Sequence, residues 1–278
     1  MRDSSLTEKA PGDSTASGNS YLVVILRNDR DFRRGARTTK AIRRLARGIY
    51  RVPVQNKRVR EYVQRFRHLT LKRAREIPRV KETDPELSQR RTYVLIAYSF
   101  VEPTAQQKKK TQRLLNRSAY IRVRKGAVLF PHLRSKDITR FYHNGKGKRV
   151  LTPKEFAEGM KSIGAEISRW SRVRAVGLKS EREIADSLDT TIRSQLSSLE
   201  TRITDLQERT KHSSVSVKTL KSRYSELMAR IKEARSVYSL VRDIWKRDDS
   251  KILRKMYNRL LRCRTAIENR AARENSSR

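Results

Sequence analysis

The chain has a single cysteine, Cys263, which excludes an internal disulfide framework and any zinc site built on several thiolates. Its histidines, His68, His132, His143 and His212, stand far apart without ligand spacing. No uninterrupted apolar run approaches the roughly 18 residues that a bilayer-spanning helix needs. Met1 to Ser20 has no apolar core followed by a small-residue cleavage site and does not read as a secretory signal, so the expected location is intracellular, cytoplasmic or nucleoid-associated. The phosphate-cradling G-x-x-x-x-G-K-[ST] and dinucleotide G-x-G-x-x-G patterns are missing, and Gly145-Lys146-Gly147-Lys148 reads as a basic loop. No cofactor, metal or enzymatic activity is expected.

Acidic residues are also scarce. Against 67 Lys and Arg there are 29 Asp and Glu, a formal net charge of +38 on 278 residues. A surface so basic repels itself and attracts phosphate backbones, where counterion release supplies a salt-dependent, sequence-independent driving force. The expected partner is nucleic acid, DNA in preference to RNA, and no membrane. At 36% hydrophobic and 35% charged, the composition favours one or two small domains with long helices over one large core.

Residues 1–19 are rich in Ser, Gly, Asp and Thr without periodic apolar positions and read as a disordered tail. Tyr21 to Leu26 is a short aliphatic run, read as a buried strand. From Arg33 to Arg47 the spacing of Arg33, Arg37, Lys40, Arg44 and Arg47 by three or four predicts an amphipathic helix with a cationic stripe, Arg34 beside it. An extended piece covers Ile49 to Val54. Val59, Tyr62, Val63, Phe66 and Leu69 then predict a helix whose polar face carries Lys57, Arg58, Arg60, Arg65 and Arg67. Acids between Arg27 and Arg75 are few, Asp29, Asp31 and Glu61, so residues 20–88 form an Arg-rich nucleic-acid-binding region of βαβ type. Arg79 to Arg91 reads as a linker.

Residues 89–178 form the next unit. Thr92 to Val101 is the strongest strand pattern in the chain. Thr104 with Gln107 makes a capping box for a helix that carries Lys108, Lys109 and Lys110, which are added to the binding surface. Strands follow at Ala119 to Val123 and Ala127 to Leu133, joined at Arg124-Lys125-Gly126. After the loop containing Asn144 to Gly147, Thr152-Pro153-Lys154-Glu155 starts a helix, and Ile167 to Val176 is the last strand. The fold class is α+β, with a ferredoxin-like βαββαβ domain. Tyr21 to Pro53 shares an outline with Tyr93 to Pro131, which suggests an internal repeat.

Residues 179–278 are helical. Ser180 with Glu183 reads as a capping box, and Ile184, Leu188, Ile192, Leu196, Leu199, Ile203 and Leu206 follow at steps of four and three. Residues 211–216 interrupt the pattern. Val217, Leu220, Tyr224, Leu227, Ile231, Ala234, Tyr238, Val241 and Trp245 make a second heptad seam, so the two stretches form an antiparallel hairpin or pair with a second subunit as a homo-oligomer. A basic helix from Lys251 to about Arg273 turns Ile252, Met256, Leu260, Cys263 and Ile267 inward.

Tyr93-Val94-Leu95-Ile96-Ala97-Tyr98, Glu102-Pro103-Thr104-Ala105, Arg113-Leu114-Leu115, Ala127-Val128-Leu129-Phe130-Pro131 and the stretch Phe156 to Trp170 carry a family likeness. Residues from 92 to about 245 resemble the N-terminal domain of chromate-resistance regulatory proteins and, more distantly, the C-terminal portion of PaaX-type transcriptional repressors. The resemblance implies a ferredoxin-like domain of a nucleic-acid-associated type. The basic N-terminal ninety residues have no counterpart in it, and chromate sensing is not carried over.

The reading is a non-enzymatic DNA-binding protein, a transcriptional regulator or chromosome-associated protein. The alternatives are an RNA-binding or ribosome-associated protein, a nucleoprotein-particle scaffold, and a metal-dependent nuclease. The nuclease alternative rests on a similar unit in CRISPR spacer-acquisition nucleases, where an acid after the first strand binds a divalent metal. Asp29, Asp31 and Glu102 occupy such places, but arginines surround the first two. For RNA, Tyr98, Phe100, Tyr120 and Phe130 are stacking candidates whose expected fate is core packing.

Overall fold

A computed structural model describes residues 20–27, 29–39, 41–73, 92–133, 150–212 and 215–276. The first half contains β1 (Ser20–Ile25), α1 (Asp29–Ala36), β2 (Arg43–Ala46), β3 (Ile49–Pro53), α2 (Lys57–Gln64) and β4 (His68–Arg73). The second repeats that order with β5 (Tyr93–Ser99), α3 (Ala105–Asn116), β6 (Ile121–Arg124), β7 (Ala127–Pro131), α4 (Pro153–Ser162) and β8 (Glu166–Ala175). Three long helices follow, α5 (Gly177–Lys211), α6 (Val217–Trp245) and α7 (Ser250–Ser276). The fold class is α+β.

The strands make one antiparallel sheet in the order β2-β3-β1-β4-β8-β5-β7-β6. Each half contributes four neighbours in the same internal order, and β4 pairs with β8 to join them, Leu71 opposite Ala175 and Arg73 opposite Val173. The segments read as a repeat occupy equivalent places: Ser20 pairs with Pro53 in one half and Tyr93 with Pro131 in the other. β2 and β6 end the order, yet the sheet curls until Arg124 at the end of β6 donates from Nη1 to the carbonyl of Ile25, 2.8 Å away.

Alternation along the strands divides the core. On the convex face, Val23, Ile25, Tyr50 and Val52 pack with Phe32, Val59 and Val63 of α1 and α2. Val94, Ile96, Val128 and Phe130 pack with Leu115, Phe156 and Met160 of α3 and α4. On the concave face, Val24, Leu69, Leu71, Leu95, Ile121 and Leu129 form one core with Ile184, Leu188 and Ile192 of α5. That helix crosses from β4 to β6. The Ser180 hydroxyl accepts from the Thr70 N–H at 3.1 Å and the Thr191 hydroxyl from the Arg122 N–H at 2.9 Å.

The heptad residues are used within the chain. Tyr238 of α6 donates its hydroxyl proton to the Ile192 carbonyl, Arg223 pairs with Asp205, and Arg259 of α7 pairs with Glu200, so α5, α6 and α7 run up, down and up. Ile203, Leu220, Ile231 and Leu260 are completely buried between them. Each such side chain contributes ~1.5–3 kcal/mol of burial. The expected hairpin is therefore the first part of a three-helix bundle.

Several sequence-based expectations are corrected. The helix from Arg33 to Arg47 ends at Ala36. The Thr38 hydroxyl donates to the Gly35 carbonyl at 2.6 Å, and the chain turns into β2, where Arg44 lies opposite Tyr50. The basic spacing that mimicked a helix thus spans a helix, a turn and a strand. Leu69 belongs to β4, because α2 ends at Gln64. The N-terminal region is a full βαββαβ unit. Ser180 and Glu183 do not cap α5, which starts at Gly177 with φ +78° and no side-chain cap, since both side chains are taken by β4 and its approach. The capping boxes at Thr104 and Thr152 and the Gly126 turn at φ +81° form as read. The tail at 1–19, the linker at 79–91 with its boundary near 88, and the loop at 144–147 lie outside the described residues.

Candidate nucleic-acid interface

Phe32 of α1 is fully buried. Its ring lies 4.6 Å from Tyr50, 5.3 Å from Tyr62 and 5.2 Å from Phe66, which locks α1 against α2. The Tyr62 hydroxyl donates to the Phe32 carbonyl at 2.8 Å, and Gly35 leaves room for that ring. With these apolar faces inward, Arg34, Arg37, Arg58, Arg60 and Arg65 point to water, and Arg33 is half-buried. Lys57 is exposed beside Glu61 at 4.0 Å. Asn56 fixes the start of α2 by accepting from the Val59 N–H at 3.1 Å.

Arg44 and Arg47 are exposed at the β2–β3 hairpin. Their charges reach Tyr50 and Arg124 respectively. The fold therefore gathers Arg33, Arg34, Arg37, Arg44, Arg47, Lys57, Arg58, Arg60 and Arg65 on and around α1, α2 and β2. Lys40 lies outside the described residues. Arg67 differs from this group, since its guanidinium is engaged by Glu183 at 2.8 Å and Asp186 at 3.6 Å and ties the start of β4 to α5. Lys108, Lys109 and Lys110 are exposed on α3 in the other half. Glu226 of α6 has its carboxyl held below its ordinary value chiefly by its hydrogen bond from Arg230.

The acid after the first strand is already committed. Asp29 Oδ1 accepts from the Tyr50 hydroxyl at 2.7 Å, and Oδ2 lies 3.7 Å from Arg124 Nη2. Burial, then Asp29, pushes the Tyr50 phenol far up. Burial lowers the Arg124 guanidinium, against the opposing pull of Asp29. Gly48 is required beneath this arginine. Its φ is +72°, and a Cβ there would sit 1.1 Å from Arg124 Nη1. Asp31 and Glu102 are exposed. Among the described residues, no three His, Cys, Asp or Glu side chains gather where they could hold a metal ion.

The aromatic stacking candidates turn inward: Phe130 lies 5.1 Å and Tyr98 6.2 Å from Phe156, and Tyr120 lies 6.5 Å from Phe130. Phe100 packs against the same core. Burial raises the Tyr98 phenol accordingly. Cys263 is buried in the bundle and its thiol is pushed up by burial.

Sequence reasoning missed Arg124, read only as part of a turn, and the arginines of β8, read only as part of a strand. The alternation Arg169, Trp170 and then Val173, Arg174 was the available signal, because it places cations on one face of a strand that is apolar on the other.

Among the described residues no helix is long and apolar enough to cross a membrane. No family model matches the chain, and no curated protein and no solved structure is significantly similar to it.

Proposed function

We propose that the chain is a non-enzymatic DNA-binding protein, a transcriptional regulator or chromosome-associated protein, that grips phosphates through α1, α2 and the β2–β3 hairpin. We also read each half of the sheet as a ferredoxin-like unit, on the strand order that the two halves share. The observation that carries the function is the cluster of exposed arginines on one surface where Glu61 and Asp31 are the exposed acids. Guanidinium forks suit phosphate oxygens, and such contacts set position on a duplex without reading sequence.

Two observations favour this reading over its rivals. RNA recognition by a sheet of this type uses exposed strand aromatics, whereas Tyr98, Tyr120 and Phe130 are packed against Phe156 and α5 covers the opposite face. A nuclease needs carboxylates gathered to take a metal, whereas Asp29 is engaged by Tyr50 and Arg124, and among the described residues Asp31 and Glu102 join no group of three His, Cys, Asp or Glu side chains.

The test is duplex binding by an Arg37→Ala, Arg44→Ala, Arg47→Ala variant. Affinity for unrelated sequences is expected to fall by similar factors with helix content unchanged. Unchanged affinity contradicts the assignment of this surface, and loss confined to one sequence contradicts phosphate positioning in favour of base readout.

A further inference from the structure

We infer that the strip where the two halves of the sheet join is a phosphate-binding track, which seats the backbone of a DNA duplex against both halves at once. This rests on the DNA-binding reading and adds where the duplex lies.

Register settles which way the strip faces. Leu71 and Val173 belong to the concave core, so their neighbours Lys72 and Arg174, paired directly across β4 and β8, point to the convex side. Ile96 faces the α3–α4 core, and its partner on β8 is Arg169, which therefore lies on that side too. Between Trp170, opposite Leu95, and Val173, opposite Tyr93, β8 has two residues against the single Val94. This is a β-bulge, a device that re-aims side chains. Its second residue, Arg172, has φ 54° and is exposed. His132 joins the group just past β7, where its N–H donates to the Thr92 carbonyl at 2.8 Å. Burial and the charges of Arg172 and Arg169 lower its imidazole.

The Tyr21 ring accounts for Lys72, but packing gives no reason for the arginines beside it. Like charges directly opposite on adjacent strands are destabilising, and a long side chain at positive φ is strained. No carboxylate among the described residues forms an ion pair with Lys72, Arg169, Arg172 or Arg174. Lys72 lies 5.9 Å from the centre of the Tyr21 ring, and Arg174 Nε is buried with no hydrogen-bond partner. Nearby, Arg67 has both Glu183 and Asp186. Among the described residues, counter-charges are thus supplied one strand end away and none is placed on the strip, which suits an external polyanion.

The chemistry selects the backbone of a duplex. A single strand is held by cations interleaved with aromatics on which bases stack. Here Trp170 faces the concave core and Tyr21 lies beneath Lys72. α1 and α2 cover β1 and β3, and α3 and α4 cover β5, β7 and the start of β8 at Ile167. The strip runs between the helix pairs, beside the arginines of α1 and α2.

The experiment uses the full chain and a labelled DNA duplex, comparing wild type with Lys72→Gln, Arg172→Gly, Arg174→Gln. Glycine accepts the φ of residue 172, and glutamine removes the facing charges, so the thermal midpoint is expected to hold or rise. Duplex affinity is expected to fall about tenfold or more, and the slope of log K against log salt to become shallower by about 2.7, or about 0.9 for each lost phosphate contact. Arg172→Gly alone, which cannot strain the fold, is expected to lower the slope by about 0.9. Unchanged affinity and slope in both variants, with the wild type binding, overturn the track and leave the α1–α2 surface standing. A wild type that does not bind duplex at low salt overturns both. A variant that loses single-stranded RNA but keeps duplex DNA overturns the duplex assignment.

Discussion

Replacing Arg124 by alanine tests how the two halves are held together. The side chain is 11% exposed and Asp29, its partner, 20%. At 3.7 Å and an effective dielectric of about 20, the attraction is about 4 kcal/mol before desolvation is subtracted. Losing one partner of a buried pair costs about 3–5 kcal/mol. Asp29 keeps the Tyr50 hydroxyl, which reduces that figure, while the Ile25 carbonyl loses a charged donor worth about 1.5–3 kcal/mol. The net expectation is about 3 kcal/mol, or a urea midpoint lower by about 1 M at ~3 kcal/mol per molar. Gly48→Ala supplies an internal control. In the wild type it meets both Arg124 Nη1 and a positive φ. In the Arg124→Ala background only the backbone penalty for a Cβ at that φ remains, about 1–2 kcal/mol. Equal costs of Gly48→Ala in both backgrounds, or a midpoint unmoved by Arg124→Ala, would refute the contact between the halves.

Two further perturbations probe the bundle and a buried histidine. Leu227, 5% exposed, is replaced by aspartate at a predicted cost of about 4 kcal/mol or more through cavity and unpaired burial. Unchanged thermal unfolding would place it outside the seam. His68 is 8% exposed, and burial lowers its imidazole although its Nδ1 lies 2.8 Å from the Phe66 carbonyl. Its folded-state value lies below the unfolded value of about 6.5. Its stabilising contribution is therefore complete above about pH 6.5 and lost as pH falls through the folded value. Urea midpoints from pH 7.5 to 5 are expected to fall further for wild type than for His68→Gln, and equal falls would contradict the burial argument.

The parts of the fold that the sequence made legible are local. Thr104 and Thr152 cap their helices through residues three positions away, and the heptads need only neighbouring turns. After Gly177 the chain contains neither glycine nor proline, so little competes with helix there. The parts that stayed hidden are those decided by distant partners. Arg43 to Ala46 becomes a strand because β3 supplies its ladder, and His68 to Arg73 because β1 and β8 flank it. The surface of α1 and α2 was legible as charge but not as shape. Residue spacing could not show that Arg67 is tied to α5. Nor could it show Arg124 crossing to Asp29, 95 residues earlier in the chain. The facing cations of β4 and β8 depend on a register that no local pattern contains.

The central claim is that unneutralised arginine and lysine, rather than base-reading side chains or a catalytic centre, engage DNA. Wild-type affinity for a duplex of arbitrary sequence, measured across salt concentration, tests it most directly. With six or more phosphate contacts the affinity is predicted to fall on the order of 10³-fold or more between 50 and 200 mM salt, with log K linear in log salt. An affinity nearly constant across that range, or binding confined to one sequence, would contradict it.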